Sequence, residues 1–279
     1  MPNDFNQQII DRFRANQGQV GPPFDGARLL LLTTTGARTG ARHTTPLGYL
    51  PDGGSGRLFV IASAGGSPAN PAWYHNVRAN PRVTLEDGVF TREADARILQ
   101  GTERDEIFAR AVESDPGWAE YQAKAGRTIP VVALTPVGPP VSSVTRGGDG
   151  LKAIHDAFRR ELALVRKEVA ESGPGLGSQL RINCLALCQG LEHHHLMEDG
   201  HMFPHLDGQH PELAPALARL RREHEEIKAL LEELQKLVSG EGTDPATLLG
   251  EVERLIAELD AHLSYEEEHL IPILNGIMP

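Results

Sequence analysis

Cysteine is nearly absent from this chain: 279 residues hold only Cys184 and Cys188. Two thiols cannot build a disulfide framework, and their i, i+4 spacing is not the CxxC of a zinc or redox site. Lying in an apolar helical stretch, they read as buried free thiols in a reducing cytoplasm. No run of 18 apolar residues exists, so no membrane-spanning helix is expected. The first residues, MPNDFNQQIIDRFRANQ, lack the basic-then-apolar layout of a secretory signal. A cytoplasmic location follows as the expectation, with peripheral membrane association left open. Basic residues are also short, 27 Lys and Arg against 38 Asp and Glu. The deficit is concentrated: residues 150–279 carry 12 and 23, which accounts for the whole net charge of −11, while residues 1–149 carry 15 of each. An acidic half of this kind argues against nucleic acid as a partner.

The length favours two domains. Residues 136–150, PVGPPVSSVTRGGDG, are rich in Pro, Gly and Ser and read as a break between them. The division expected is 1–137, a linker at 138–149, and 150–279. In the first part, strands are expected at 27–35, 44–50, 56–63, 82–86, 89–99 and 128–136, from their aliphatic and β-branched content. Helices are expected at 3–16, 70–79, 102–114 and 117–125. Consecutive strands with short turns suggest an antiparallel, barrel-like sheet with peripheral helices. After the break only helical periodicity remains. Its seams step by four and three residues through four segments, the pattern of an up-down four-helix bundle. The fold class is therefore α+β.

Ten of the twelve histidines lie after residue 150. His155, His194, His224 and His262 stand on the four seams, one per helix, where Leu, Ile or Val is expected. His194 is followed four residues on by Glu198, and His262 by Glu266, so each pair shares a helix face. The segments also repeat. His155 to His224 spans 69 residues; His194 to His262, Glu198 to Glu266 and Pro204 to Pro272 each span 68. Duplicated helix pairs place ligands about a pseudo-twofold axis, which suits two metal ions. Six polar residues converging on a core cost stability unless something pairs them. If Glu198 and Glu266 each bridge, each ion receives two imidazoles and two carboxylate oxygens, with positions open for a small molecule such as O2. That donor set suits two non-haem iron ions better than structural zinc or calcium. Three alternatives stand beside it. The histidines could bond one another or buried water. A Glu-x-x-His scheme could pair Glu198 with His201 and Glu266 with His269. Glu267 could replace Glu266. Otherwise His201 and His269 would be outer hydrogen-bond donors, and His193 and His195, flanking the seam, would be exposed or outer groups. His205 and His210 have no role.

The arrangement H…HxxxE…H…HxxxE on four helices, with MEDGHMFPHL after His194, resembles the hemerythrin HHE cation-binding domain over about 125 residues. One position departs from the oxygen-carrying members, which have a second histidine one turn after the first on the third helix; here it is Lys228. Plain oxygen storage is correspondingly disfavoured.

In the first part, GARTGARHTTP (36–46) joins two strands. Gly36 and Gly40 permit a tight turn, Arg38 and Arg42 add cations, and Thr39, Thr44 and Thr45 add hydroxyls, a set able to cradle a phosphate or carboxylate. The same composition also makes an ordinary solvated turn. A Gly-Gly loop in IASAGGSPANPAWYHNVRANP (61–81) leads into a helix N-terminus. TTTGARTG, TPL, the SxGG loop, NPAWYHNVRANP and RTIPVVALTP together resemble the deazaflavin-dependent nitroreductase family over residues 5–136. The resemblance implies a split β-barrel binding coenzyme F-420, with FMN as the lesser alternative. By motif position it implies that Ala37, Arg38 and Thr39 meet the cofactor's tail and phosphate. His43, Thr44, Thr45, Pro46, Leu47 and Gly48 would line the cofactor together with Ile61, Ala62, Ser63 and Ala64. Ala72, Trp73, Tyr74, His75 and Asn76 would complete the pocket, with Trp73 prominent. Two departures matter: Ala64 stands where many members have Lys, and of the tyrosines that members place in the late substrate-facing helix DPGWAEY (115–121) keeps only Tyr121, with Trp118 and Asp115 at the other places. Tyr121 is the candidate proton donor. The expected activity is hydride transfer from the deazaflavin to a small acceptor, quinone-like or a conjugated carbonyl. The second reading is a sensor or scavenger of O2, NO or iron whose barrel binds cofactor without turnover, and a third makes the bundle an iron store. A homodimer through the barrel is implied by family analogy.

Overall fold

The computed structural model describes residues 4–22, 24, 27–52, 56–142, 147–172, 175–240 and 243–277. It divides into two compact units, Met1–Ser143 and Val144–Pro279.

The first unit is a closed antiparallel barrel. Its strands are β1 (Leu29–Thr35), β2 (Arg42–Pro51), β3 (Leu58–Ile61), β4 (Arg82–Glu86), β5 (Phe90–Ile98) and β6 (Val131–Ser142), in the order β1-β2-β3-β6-β5-β4. The helices are α1 (Asp4–Ala15), α2 (Ala72–Ala79), α3 (Gly101–Ser114) and α4 (Gly117–Ala125). Closure removes free strand edges. β1 reads LLLLTTT because both its faces are covered. Leu30 and Leu32 point into the barrel with Val60, Trp73 and Leu134, while Leu31 packs under α1 against Ile9, Ile10 and Phe13. β3 and β6 divide in the same way: Val60, Val132 and Leu134 face in, and Phe59, Ile61, Val131 and Ala133 face Ile107 and Phe108 of α3.

The break expected at 138–149 is resolved differently. β6 runs on to Ser142, and the next helix begins at Gly147. Thr91 of β5 pairs Val141 while Glu93 pairs Val137, so three residues of β6, 138–140, lie opposite the single residue Arg92 of β5. The surplus is a bulge containing Gly138 (φ 74), Pro139 and Pro140. Proline has no N–H to give a ladder, and a bulge is where a strand tolerates it. The residues read as a linker thus include a kinked strand end. Of the stretch, 143–146 lie outside the described residues.

The second unit is all helical: α5 (Gly147–Glu171), α6 (Ser178–Met197), one π turn (Glu198–Met202), α7 (Phe203–Gln209), α8 (Ala214–Ser239) and α9 (Pro245–Ile277). The ring of neighbours α5, α6, α8, α9 closes a four-helix bundle. Two apolar layers fill it. One is built on Val165, Leu187, Leu191, Leu231 and Leu255, and the other on Leu151, Phe203, Leu217, Leu220 and Leu270. Among the described residues no helix is long and apolar enough to cross a membrane.

Candidate metal centre and cofactor site

Between the apolar layers of the bundle lies a polar one. His155, His195, His224, His262, Glu198 and Glu266 are buried, and His194 is nearly so. The donors form two groups: His155, His194, Glu198 and Glu266, then His195, His224 and His262. The carboxylates span the groups. Glu198 Oε1 is 3.0 Å from His194 Nε2 and its Oε2 is 3.5 Å from His224 Nε2. Glu266 Oε2 is 3.5 Å from His155 Nε2 and 3.8 Å from His262 Nε2. Five imidazole Nε2 atoms and four carboxylate oxygens are thus brought together, buried and without a hydrogen-bond partner. Orphaned polar atoms in such number are costly, and this donor set fits a pair of cations.

The outer ring nitrogens are held. His155 Nδ1 is 3.0 Å from Glu267 Oε1, His262 Nδ1 is 3.0 Å from Glu223 Oε2, and His224 Nδ1 is 3.0 Å from Asp199 Oδ2. A carboxylate can only accept, so the hydrogen bonds of His155 and His262 put the proton on Nδ1 and the lone pair on Nε2, turned inward; Asp199 lies near His224 Nδ1 without hydrogen-bond geometry. Arginine backs two of these carboxylates: Arg159 Nη1 is 2.6 Å from Glu267 Oε1, and Arg219 Nε is 2.6 Å from Glu223 Oε1. The electrostatics agree. Burial lowers the pKa of all five imidazoles, and brings His262 down to about 4 against the opposing effect of the hydrogen bond it donates to Glu223. Burial, with the charges of Glu267 and Asp199, pushes Glu266 up to about 8. Glu198 is raised by burial and by Glu266. Burial raises Glu267, but its bonds to His155 and Arg159 prevail and bring it to about 2.

In the barrel, the β1–β2 turn is pinned from α2. Asn76 Oδ1 accepts from Ala37 N at 3.0 Å, and its Nδ2 donates to Thr34 Oγ1 at 3.0 Å. This leaves Arg38 and Thr39 exposed at the turn. Arg42 is turned to the sheet, donating to Thr84 Oγ1 at 2.6 Å. The Gly-Gly loop carries three successive residues of positive φ: Ala64 (49), Gly65 (63) and Gly66 (78). Ala64 is the one with a side chain, and strain of this kind concentrates at functional sites. Arg127 holds the loop by donating to the carbonyls of Ala62 (3.0 Å), Ser63 (3.3 Å), Ser67 (3.1 Å) and Ala69 (3.2 Å).

Two families match the chain. Residues 6–136 match the F420H(2)-dependent quinone reductase family and residues 146–274 the hemerythrin HHE cation binding domain. An F420H(2)-dependent quinone reductase of Mycobacterium tuberculosis is 37% identical over 127 residues, covering 44% of this chain and 84% of that protein. The chain belongs to the F420H(2)-dependent quinone reductase family. Its second half is a hemerythrin HHE domain, so the oxidoreductase class expected for the barrel and the cation-binding class expected for the bundle both stand. Among solved structures, an F420-H2 dependent reductase is 42% identical, covering 38% of this chain and 93% of its own, with a TM-score of 0.36. Another, described as a domain-swapped dimer, is 36% identical, covering 48% and 99%, with a TM-score of 0.37.

All six metal candidates are brought together. His195, expected to be exposed or outer, is instead a seventh member, 5% exposed. The run His193–His195 was its one signal in the sequence. His201, expected as an outer donor, is exposed: the π turn adds a residue after Glu198, so Phe203 and Leu206 take the inward positions. That removes the Glu198–His201 scheme. His269 lies on Tyr265, with Nδ1 2.8 Å from the Tyr265 carbonyl oxygen, outside both groups. Glu267 sits on the outer nitrogen of His155 rather than in place of Glu266.

In the barrel, Ala37, Arg38, Thr39, His43, Gly48, Ala64, Ala72 and His75 are exposed, and Thr44, Thr45, Pro46, Leu47 and Ser63 are half-buried. Ile61, Ala62, Trp73, Tyr74 and Asn76 are buried. Trp73, expected to be prominent in the pocket, packs in the barrel core with Tyr74 and Val77 because α2 is amphipathic and lays this face on the sheet. Asn76 is occupied as the pin described above. Tyr121 is 40% exposed and meets Trp118 edge-on, with centroids 6.0 Å apart.

Proposed function

We propose that the barrel passes hydride from reduced coenzyme F-420 to a quinone-class acceptor, and that the bundle holds a dinuclear non-haem iron centre responding to O2 or to redox state. Family membership supports the first statement. The second is carried by the five Nε2 atoms and four carboxylate oxygens that lie buried without hydrogen-bond partners.

Bound, the deazaflavin supplies the hydride, and the iron pair supplies one-electron chemistry. The chain's own residues bind, orient and insulate. Arg38 and the Thr39 hydroxyl present a cation and a donor to the phosphate and acidic tail. Asn76 fixes that turn, and Arg127 fixes the Ala64–Gly66 loop against which the ring system would rest. Tyr121, exposed beside Trp118, holds a proton on its phenol oxygen for the reduced acceptor. In the bundle, Glu267 and Glu223 keep His155 and His262 in the ligating tautomer, and Asp199 lies beside His224. Glu198 and Glu266, together with His155 and His194 in one group and His195, His224 and His262 in the other, would hold the cations. A homodimer through the barrel belongs to the same reading.

Anaerobic titration of the purified protein with reduced F-420 and a short-chain menaquinone tests the first half. Reoxidation of the deazaflavin that depends on the quinone is expected; tight binding without turnover would favour the sensor reading. Elemental analysis after growth with ample iron tests the second, where about two irons per chain are expected for a bridged pair. One zinc and no iron would overturn it.

A further inference from the structure

A cleft of about 240 Å³ opens between α6 and α8 and reaches the polar layer. His195 and His224 stand on its wall, and Asp199 stands beside them. Glu192, Glu225 and Glu232 are exposed around it, and Lys228 is the one basic residue lining it. Four carboxylates against one ammonium make it a funnel for cations, since clefts lined by one sign of charge focus the field.

Two observations tie this funnel to the centre. His195 is buried, and its Nε2 has no hydrogen-bond partner. Asp199 differs from the other outer carboxylates: Glu267 and Glu223 are each locked by an arginine, whereas Asp199 pairs with no arginine among the described residues, and its Oδ1 is buried and unpartnered. It can therefore give an oxygen to a passing ion while its other oxygen stays near His224.

We propose that the α6–α8 cleft is the loading path of the metal centre: a hydrated divalent cation is collected by Glu192, Glu225 and Glu232, meets Asp199, and takes His195 as its first nitrogen ligand. The inference rests on the dinuclear reading of the bundle. It adds a transit site of carboxylates, Glu192, Glu225, Glu232 and Asp199, that lies outside that ligand set and hands the ion to His195. Hard carboxylate oxygens at the rim and softer imidazole nitrogens within match the order in which a hydrated ion loses water and gains protein donors.

The experiment is metal uptake by the full chain after chelation, using Co2+ for its visible absorption and Fe2+ under anaerobic conditions. Initial rate and final stoichiometry are read separately. The combined variant Glu192→Gln, Glu225→Gln, Glu232→Gln is expected to load roughly ten-fold or more slowly at low ionic strength, within the usual range of electrostatic steering. It should reach the same final metal content, and added salt should narrow the gap. Lys228→Glu is expected to load faster than the unaltered protein. These sites are exposed, and thermal unfolding of each metal-free variant checks that folding is unchanged. Equal loading rates for all three proteins at low salt would overturn the proposal while leaving the centre intact. Failure of the unaltered protein to take up metal at any concentration would instead defeat the dinuclear reading itself, and this proposal with it.

Discussion

The imidazole of His195 stacks on that of His224, with centroids 4.2 Å apart and planes 13° from parallel. Stacking sets two neutral rings side by side so that both can address one ion. The expected result is that His195→Ala weakens metal binding in a chelator competition by more than the roughly 10–100-fold typical of losing an outer partner. His193→Ala, one residue away and exposed, should bind as the unaltered protein does. Equal affinities for the two variants would remove His195 from the ligand set.

The outer carboxylates give a graded test. Glu267 accepts from His155 and from Arg159. In Glu267→Gln an acceptor remains but the negative charge is lost, so the ring becomes a poorer donor to the ion. Metal affinity should fall about ten-fold, at the low end for outer partners, with the stoichiometry kept. Glu268→Gln, on the exposed side of the same turn, is the control, and a matching loss there would show a general charge effect.

The seam histidines and both HxxxE pairs are periodic features, and periodicity is what a helix transmits from sequence to space. The strands of the barrel were legible for a related reason: LLLLTTT and VVAL are buried on both faces, so their apolar runs are continuous. What escaped was whatever breaks a period. His195 is adjacent to His194, and no single seam contains both. They share the centre because it is wide enough to be reached from two sides of α6. The π turn at Glu198–Met202 shifts the register by one residue and carries His201 out to solvent. Gly138, Pro139 and Pro140 are chain-breaking residues in sequence terms, yet a bulge lets β6 absorb them. Trp73 was ambiguous between pocket and core, and only the packing of α2 decided it.

The metal-free bundle should have a sharp dependence on pH. Burial lowers the five imidazoles, so below the ordinary histidine pKa of 6.5 the unfolded chain binds protons that the folded one refuses. Stability is lost as pH falls from 6.5 towards the value of about 4 reached by His262. For that residue alone the loss is on the order of 3 kcal/mol. Glu266 acts in the opposite direction: its folded pKa is raised to about 8 from 4.5, so its contribution is present below 4.5 and lost as pH rises through 8. With five imidazoles against two carboxylates, the unfolding midpoint of the chelated protein should peak near pH 6.5 and fall on both sides. Metal loading should flatten and raise the curve. A metal-free curve that is already flat from pH 5 to 8 would mean that the donors are not desolvated as described.

In the barrel, the decisive side chain is Arg127, which holds four carbonyls of the Ala62–Ala69 segment. Charged donors to backbone oxygens are among the stronger hydrogen bonds, so Arg127→Ala should cost on the order of 2–4 kcal/mol in stability. Arg127→Lys should recover only part, because an ammonium presents a point charge where a planar fork reaches several acceptors at once. The more telling readout is cofactor binding. Ala64 is kept at positive φ within the clamped loop, and releasing the clamp lets it relax to an ordinary conformation. Fluorescence titration with F-420 should then show weakened binding in both variants, graded Ala below Lys, at temperatures where each is fully folded. Unchanged affinity in the folded Arg127→Ala protein would place the deazaflavin away from this loop. The exposed turn of Arg38 and Thr39 would then remain as the barrel's anion site.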